Sequence, residues 1–139
     1  MTVKTKEEIK QMERVCKLAA QTLYHTAKFV RPGITTDELD KITHEFTLSN
    51  GAVPSPLGYH GYPKSVCTSV NHVICHGVPG PEVLKEGDII NIDVTCFLDG
   101  FHGDTSATFF VGEVSDRAKR VTEVARRAME KGIEAITPF

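Results

Sequence analysis

Residues 91–110 of this chain form the stretch NIDVTCFLDGFHGDTSATFF. Asp99-Gly100 at its centre is a two-residue turn of the kind that joins antiparallel strands, and apolar and polar residues alternate on both sides of it. The stretch therefore predicts a β-hairpin with one core face and one polar face. The expected core face, extended by neighbouring residues, carries Ile90, Ile92, Val94, Cys96, Leu98, Phe101, Thr105, Ala107, Phe109 and Val111.

The polar face of this hairpin carries Asp93 and Asp104, although aspartate is disfavoured in strands. With the turn at Asp99-Gly100, Thr95 pairs with Asp104, so Asp93 and Asp104 become diagonal neighbours roughly 7–8 Å apart. Two partly covered carboxylates at that distance need either a shared proton or a cation. A solvated polar face is the plain alternative, since antiparallel sheets often leave one face wet. The choice of two facing aspartates favours a metal.

The amino-acid composition argues against nucleic-acid-binding, membrane-binding and secreted proteins. The chain has 139 residues, 40% of them hydrophobic, which is enough for one compact core. Its net charge of -2 gives no basic field for nucleic acid or for an anionic membrane surface. The charged start MTVKTKEEIK is unlike a signal peptide. Four cysteines without a C-x-x-C pair are interpreted as buried, reduced thiols, which predicts a cytoplasmic protein.

The flanking sequence predicts three helices and two further strands. Capping boxes at Thr5 and Thr35 open two amphipathic helices, the first ending at Arg31-Pro-Gly and the second at Asn50-Gly51. A third helix is expected from Ser115 towards Pro138. Between the second helix and the hairpin lie a glycine- and proline-rich loop and two β-branched runs, residues 66–70 and 73–75, which are predicted to be strands.

The first and last helices share a pattern. When Val15 is laid on Val121, apolar residues and the terminal prolines coincide along both segments. This indicates one full α/β unit followed by the first helix of a second copy. Two unrelated amphipathic helices that end at proline would also align in this way, so the pattern leaves both interpretations open.

Histidine and aromatic residues supply further candidates. His76 stands where a predicted strand runs into a loop, a usual place for a side chain that donates to a substrate carbonyl or transfers a proton. A surface turn histidine is the alternative. Tyr59, His60 and Tyr62 form a glycine-flexed cluster that either walls a pocket or simply packs a loop.

The segments GYHGYPKSVCTSVNHVICHGVP and GDIINIDVTCFLDGFHGDTSATFFVG, in this order and spacing, resemble methionine aminopeptidases of type I. The resemblance implies an α+β fold of the pita-bread class, in which two α/β halves are related by a pseudo-twofold. Residues 1–112 would be the first half, and residues 113–139 would be the start of the second half, with its first helix. The implied activity is removal of the N-terminal methionine from newly made proteins.

The resemblance also implies roles for individual residues. Asp93 and Asp104 would bind two divalent metal ions (cobalt, manganese, iron or zinc), and His76 would contact the substrate or stabilise the transition state. The methionine side chain would contact Tyr59, His60, Tyr62 and Cys67. In the implied reaction two metals acidify a shared water that attacks the first peptide bond. Pro56 departs from the cysteine found at this position in many bacterial members.

Three further ligands of the family, a histidine and two glutamates, belong to the second half, beyond the sequence of residues 1–139. That half would be cleaved off, disordered or on another chain, and in the last case this other chain is an expected partner, beside nascent peptides. One alternative is a non-catalytic lobe that binds a peptide or protein, although such relatives usually lack the two aspartates. A second alternative is a pita-bread peptidase that cleaves before proline.

Overall fold

The first two helices form where their capping boxes predict them. A computed structural model of the chain describes residues 3–137. In it α1 covers Lys6–Ala27 and α2 covers Thr36–Ser49. In each helix the capping threonine accepts from the third backbone N–H, and a glutamate side chain returns to the backbone N–H of the threonine. The chain leaves α1 before Pro32, because proline has no N–H for a helical hydrogen bond.

Four antiparallel strands form one sheet around the hairpin. They are β1 (Val53–Pro54), β2 (Cys67–Val70), β3 (Ile89–Leu98) and β4 (Phe101–Phe110). β3 pairs with β4 over its full length, and its other edge pairs with β2 and then with β1. Thr95 pairs with Asp104 and Asp93 with Ser106, so the predicted register is confirmed.

The two helices cover one face of this sheet. Gly103 of β4 lies so close to α1 that a Cβ there would stand 2.5 Å from the carbonyl oxygen of Val15. Absence of a side chain at this position therefore lets helix and strand approach closely. The core between the layers contains Val15, Leu18, Ala19, Leu23, Leu39, Ile90, Ile92, Val94, Cys96 and Val111. Since these residues occupy one face, the polar face of the hairpin remains available for a site.

The predicted strand at residues 73–75 is wrong. After β2 the chain turns at Asn71, whose φ is 49°, and the N–H of Val73 donates to the carbonyl of Val70. The chain then returns alongside β2, where the carbonyl of Gly77 accepts from the N–H of Thr68. The β-branched residues therefore do not form a strand, because the tight turn overrides their strand preference.

The last helix, α3, covers Asp116–Glu134 and begins at Ser115 as predicted. Pro138 lies outside the described residues. None of the described side chains of α3 is buried, and an apolar stripe on it is exposed. In α1 the matching positions Val15, Leu18 and Leu23 are buried. The stripe consists of Val121, Val124, Met129 and Ile133 on α3 and of Ile136, which follows the helix.

The cysteine interpretation needs correction. Cys67 and Cys96 are buried, but Cys16 and Cys75 are exposed, because Cys16 lies on the outer side of α1 and Cys75 lies in the reversing loop. All four are free thiols. No helix within residues 3–137 is both long enough and apolar enough to span a membrane.

Candidate metal and substrate site

The two aspartates of the hairpin meet on the polar face of the sheet. Asp93 is half-buried and Asp104 is exposed. Burial raises the pKa of Asp93 above its ordinary value, and the charge of Asp104 and a hydrogen bond between the two carboxyl groups raise this pKa further. The charge of His76 opposes these effects. The two carboxyl groups are therefore close enough to compete for a proton, and a cation would relieve the same repulsion.

His76 reaches the aspartates from the loop that follows β2. Its φ is 53°, in the left-handed region that non-glycine residues seldom adopt. Such a conformation costs of the order of 1 kcal/mol and persists only when its surroundings hold it. The imidazole is exposed and lines the same cavity as Asp93 and Asp104.

Aromatic residues form the opposite wall of the cavity. Tyr59 is 69% exposed, and its ring meets that of His60 edge-on at 4.4 Å between centroids. Both belong to a short 3-10 turn, Tyr59–Gly61, in which His60 has a φ of 47°. Because Tyr59 and His60 are exposed on a turn, they form a rim rather than a floor.

Tyr62 and Cys67 form the floor beside the sheet. The hydroxyl of Tyr62 lies 3.1 Å from the carbonyl oxygens of both Val66 and Gly77. Burial is the first cause of a raised pKa at Tyr62, and the neighbouring Cys67 thiol is the next. Cys67 is buried and is the direct register partner of Asp93, so its thiol lies on the face that carries the carboxylates.

The structure brings all seven sequence-predicted site residues into one open cavity of about 670 Å³. The cavity combines carboxylates, imidazoles, aromatic rings and a thiol. Such a set can bind a partly apolar ligand and also hold a cation at one end. The seven residues are Tyr59, His60, Tyr62, Cys67, His76, Asp93 and Asp104.

The donor set for a metal is incomplete in this part of the chain. Among residues 3–137 no group of three or more histidine, cysteine, aspartate or glutamate side chains is placed to bind one ion. The convergence of Asp93 and Asp104 fits one side of a site for hard divalent cations, which prefer oxygen ligands.

Sequence reasoning missed one element of the cavity wall. Ser55, which follows β1, has its Oγ 2.8 Å from Nδ1 of His102 on β4. Both residues line the cavity, and His102 is exposed. No feature of the local sequence marks Ser55, because its place depends on the pairing of β1 with the far end of β3.

Comparison with known proteins identifies the family. Residues 10–138 match the sequence profile described as metallopeptidase family M24. The chain belongs to metallopeptidase family M24. Membership of this family implies the use of divalent metal. The mixed helix and sheet architecture is the pita-bread fold of the family.

The relatives confirm the resemblance to methionine aminopeptidases. The chain is 51% identical to a chloroplastic/mitochondrial methionine aminopeptidase of Arabidopsis thaliana, over 99% of this chain and 39% of the relative. It is 49% identical to the methionine aminopeptidase of Rickettsia prowazekii, over 99% of this chain and 54% of the relative. The M24 chain thus spans about two-fifths to half the length of these relatives.

Solved structures agree with this result. The crystal structure of methionine aminopeptidase from Rickettsia prowazekii superposes with a TM-score of 0.97 at 47% identity and covers 99% of this chain and 56% of that one. A prolidase from Pyrococcus furiosus superposes with a TM-score of 0.84 at 23% identity, covering 98% of this chain and 39% of that one. The second comparison shows the fold alone.

Proposed function

We propose that the polypeptide to which this chain contributes removes N-terminal methionine from newly made proteins. The observation that carries the proposal is the convergence of Asp93 and Asp104 beside His76 in one cavity. Identities near 50% to methionine aminopeptidases support this substrate class over cleavage before proline, since a solved Xaa-Pro dipeptidase from Bacillus anthracis is only 26% identical.

The two carboxylates fit the role of metal ligands. Asp93 and Asp104 would hold two divalent ions, with cobalt, manganese, iron or zinc as the candidates. When bound, such a pair supplies an acidified water and polarises the scissile carbonyl. The diagonal placement of the aspartates suits this role because both carboxyl groups face the same side of the sheet.

The remaining residues would bind and orient the peptide. His76 would donate a hydrogen bond to the carbonyl oxygen as charge develops there. Tyr62 and Cys67 offer an aromatic and thiol floor that suits a flexible thioether, while Tyr59 and His60 would close the rim. The cavity is large enough for a methionine side chain and the following peptide bond.

The second half of the fold is a proposed partner. It would supply the missing histidine and glutamate ligands, either from the same polypeptide or from another chain. The exposed apolar stripe of α3 supports this proposal because an apolar helix face is stable only when another element covers it. The boundary between residues 112 and 113 remains part of this proposal, with α3 as the first helix of the second half. Cytoplasmic location remains a prediction.

A non-catalytic lobe is the second candidate function. The absence of a complete metal-ligand group within residues 3–137 favours it for the chain acting alone. In that case the cavity would hold a peptide or protein segment without cleaving it. Retention of Asp93 and Asp104 favours the hydrolase.

Release of methionine from a Met-Ala peptide, with cobalt or manganese added, tests the proposal. The polypeptide that contains both halves should turn over, and residues 1–139 alone should release little or none. Intact mass and metal content per chain, measured on the same samples, show which form is present. Metal-dependent turnover that persists in an Asp93→Asn, Asp104→Asn double variant would refute the assignment of these ligands.

A further inference from the structure

His76 depends on its neighbours for its position. It stands in a loop, its backbone is left-handed with a φ of 53°, and its side chain is exposed. Neither a strand nor a helix holds it. Whatever fixes the imidazole against the aspartates must therefore act through the adjoining backbone.

Gly77, the next residue, is held by both of its backbone groups. Its carbonyl oxygen accepts from the N–H of Thr68 at 2.9 Å and lies 3.1 Å from the hydroxyl of Tyr62. Its own N–H donates to Oγ of Ser69 at 3.2 Å. A Cβ at Gly77 would stand 2.1 Å from the carbonyl oxygen of Thr68, so only glycine fits against β2 here.

Ser69 links this loop to the strand that carries Asp93. Ser69 is 5% exposed and pairs with Asn91 of β3, two residues before Asp93. It is absent from the cavity lining, so it does not touch a ligand bound there. The contact that its hydroxyl makes towards the site is the hydrogen bond from the Gly77 N–H.

We infer that Ser69 is a positioning residue for His76: by accepting the Gly77 N–H, its hydroxyl holds the imidazole in register with Asp93 and Asp104. The inference rests on the proposed hydrolase function and adds a residue to it. Ser69 differs in this respect from Tyr62, which also contacts Gly77 but lines the cavity and would affect substrate binding. Misplacement of a catalytic group by about 1 Å can reduce the rate of an enzyme by as much as 100-fold.

The kinetic test uses the polypeptide with both halves and a Met-Ala peptide. Ser69→Ala should lower kcat by about tenfold and leave KM within about twofold, because the cavity lining is unchanged. Ser69→Cys, which keeps nearly the same volume with a poor acceptor, should act like Ser69→Ala, whereas Ser69→Thr should keep most of kcat. Ser49→Ala is the matched control, since it removes another serine-to-backbone hydrogen bond, that to the Phe46 carbonyl, far from the site.

Hydrogen exchange supplies a readout independent of turnover. The Gly77 amide should exchange at least about tenfold faster in Ser69→Ala and Ser69→Cys, while the Leu84 amide, which donates to the Ile34 carbonyl, stays unchanged. Equal kcat in the unsubstituted protein and in both variants would overturn the inference and leave the proposed function standing. No turnover by the unsubstituted protein with any tested metal would overturn both. A kcat loss that follows a lower thermal midpoint and appears equally in Ser69→Thr would assign Ser69 a purely structural role.

Discussion

Cys67 of β2 lies directly opposite Asp93 of β3, so the buried thiol and the half-buried carboxylate share one face of the sheet. This relationship joins the floor of the proposed methionine pocket to the proposed metal ligand. A substitution at either residue should therefore alter the surroundings of the other. The reactivity of the Cys67 thiol can be used to probe the site.

Alkylation should distinguish Cys67 from the exposed cysteines. Burial raises the pKa of Cys67, and this outweighs the effect of the neighbouring Tyr62 hydroxyl, which lowers it. Because the thiolate is the reactive form, iodoacetamide at pH 7.5 should modify Cys67 at least about tenfold more slowly than Cys16 or Cys75. Peptide mass spectrometry over time measures the three rates, with Cys67→Ser as the control for peptide assignment. Equal rates at Cys67 and Cys16 would contradict the buried placement.

The hairpin was predictable because its information is local. Asp99-Gly100 sets the turn, the turn sets the register, and the register places Asp93 and Asp104 on one face. The helix starts at Thr5, Thr35 and Ser115 were predictable for the same reason, since capping depends on residues three positions apart.

The missed features depend on distant pairing. Residues 73–75 have strand-like composition, but the chain reverses there because Gly77 packs against Thr68. Ser55 reaches His102 only because β1 pairs with the end of β3. Burial of cysteines likewise depends on which side of α1 faces the core, so the expectation that Cys16 is buried is wrong. The roles of His76 and the pocket residues came from family resemblance and remain predictions.

Removing the charge of Asp93 should stabilise the metal-free protein. The folded-state pKa of Asp93 is raised, so the folded protein binds its proton more tightly than the unfolded chain does. The contribution of Asp93 to the free energy of unfolding is therefore fully present below the pKa of the unfolded chain. It is lost as the pH rises through the pKa of the folded protein. Asp93→Asn should therefore have a higher free energy of unfolding than the unsubstituted protein at pH 7 and nearly the same one near pH 3.

Urea unfolding with a chelator at both pH values measures this difference. Asp104→Asn should lower the pKa of Asp93, because the charge of Asp104 and the hydrogen bond between the two carboxyl groups both raise it. Carboxyl carbon NMR titration detects the change, and Asp116→Asn on α3 serves as the control. A larger gain for Asp93→Asn at pH 3 than at pH 7 would show that the sign is wrong.

Gly77 should tolerate no side chain. A Cβ there meets the backbone carbonyl of Thr68 at 2.1 Å, and a backbone atom cannot move aside as a flexible side chain can. Gly77→Ala should therefore lower the free energy of unfolding by about 2–3 kcal/mol. Gly80→Ala in the same loop is the matched control, because a Cβ at Gly80 would meet nothing within 4 Å. Thermal or urea unfolding compares the two, and equal stability of both variants would exclude the close approach.

The exposed stripe of α3 should matter for assembly and not for the stability of residues 1–139. Val124 is 56% exposed, so Val124→Gln removes no buried contact and should change the free energy of unfolding by less than about 0.5 kcal/mol. If the second half covers this stripe, the same substitution should weaken its association by about tenfold or more, since a buried valine contributes roughly 1.5 kcal/mol or more.

Titration of residues 1–139 with a separately expressed second half, followed by sedimentation, measures this affinity. Lys119→Gln is the control, because Lys119, five residues before Val124, lies about 140° away from it around the helix axis and forms no ion pair within the described part of the chain. Equal affinity of Val124→Gln and Lys119→Gln would show that the apolar stripe faces solvent in the assembly as well. The second half would then have to bind another surface of residues 1–139.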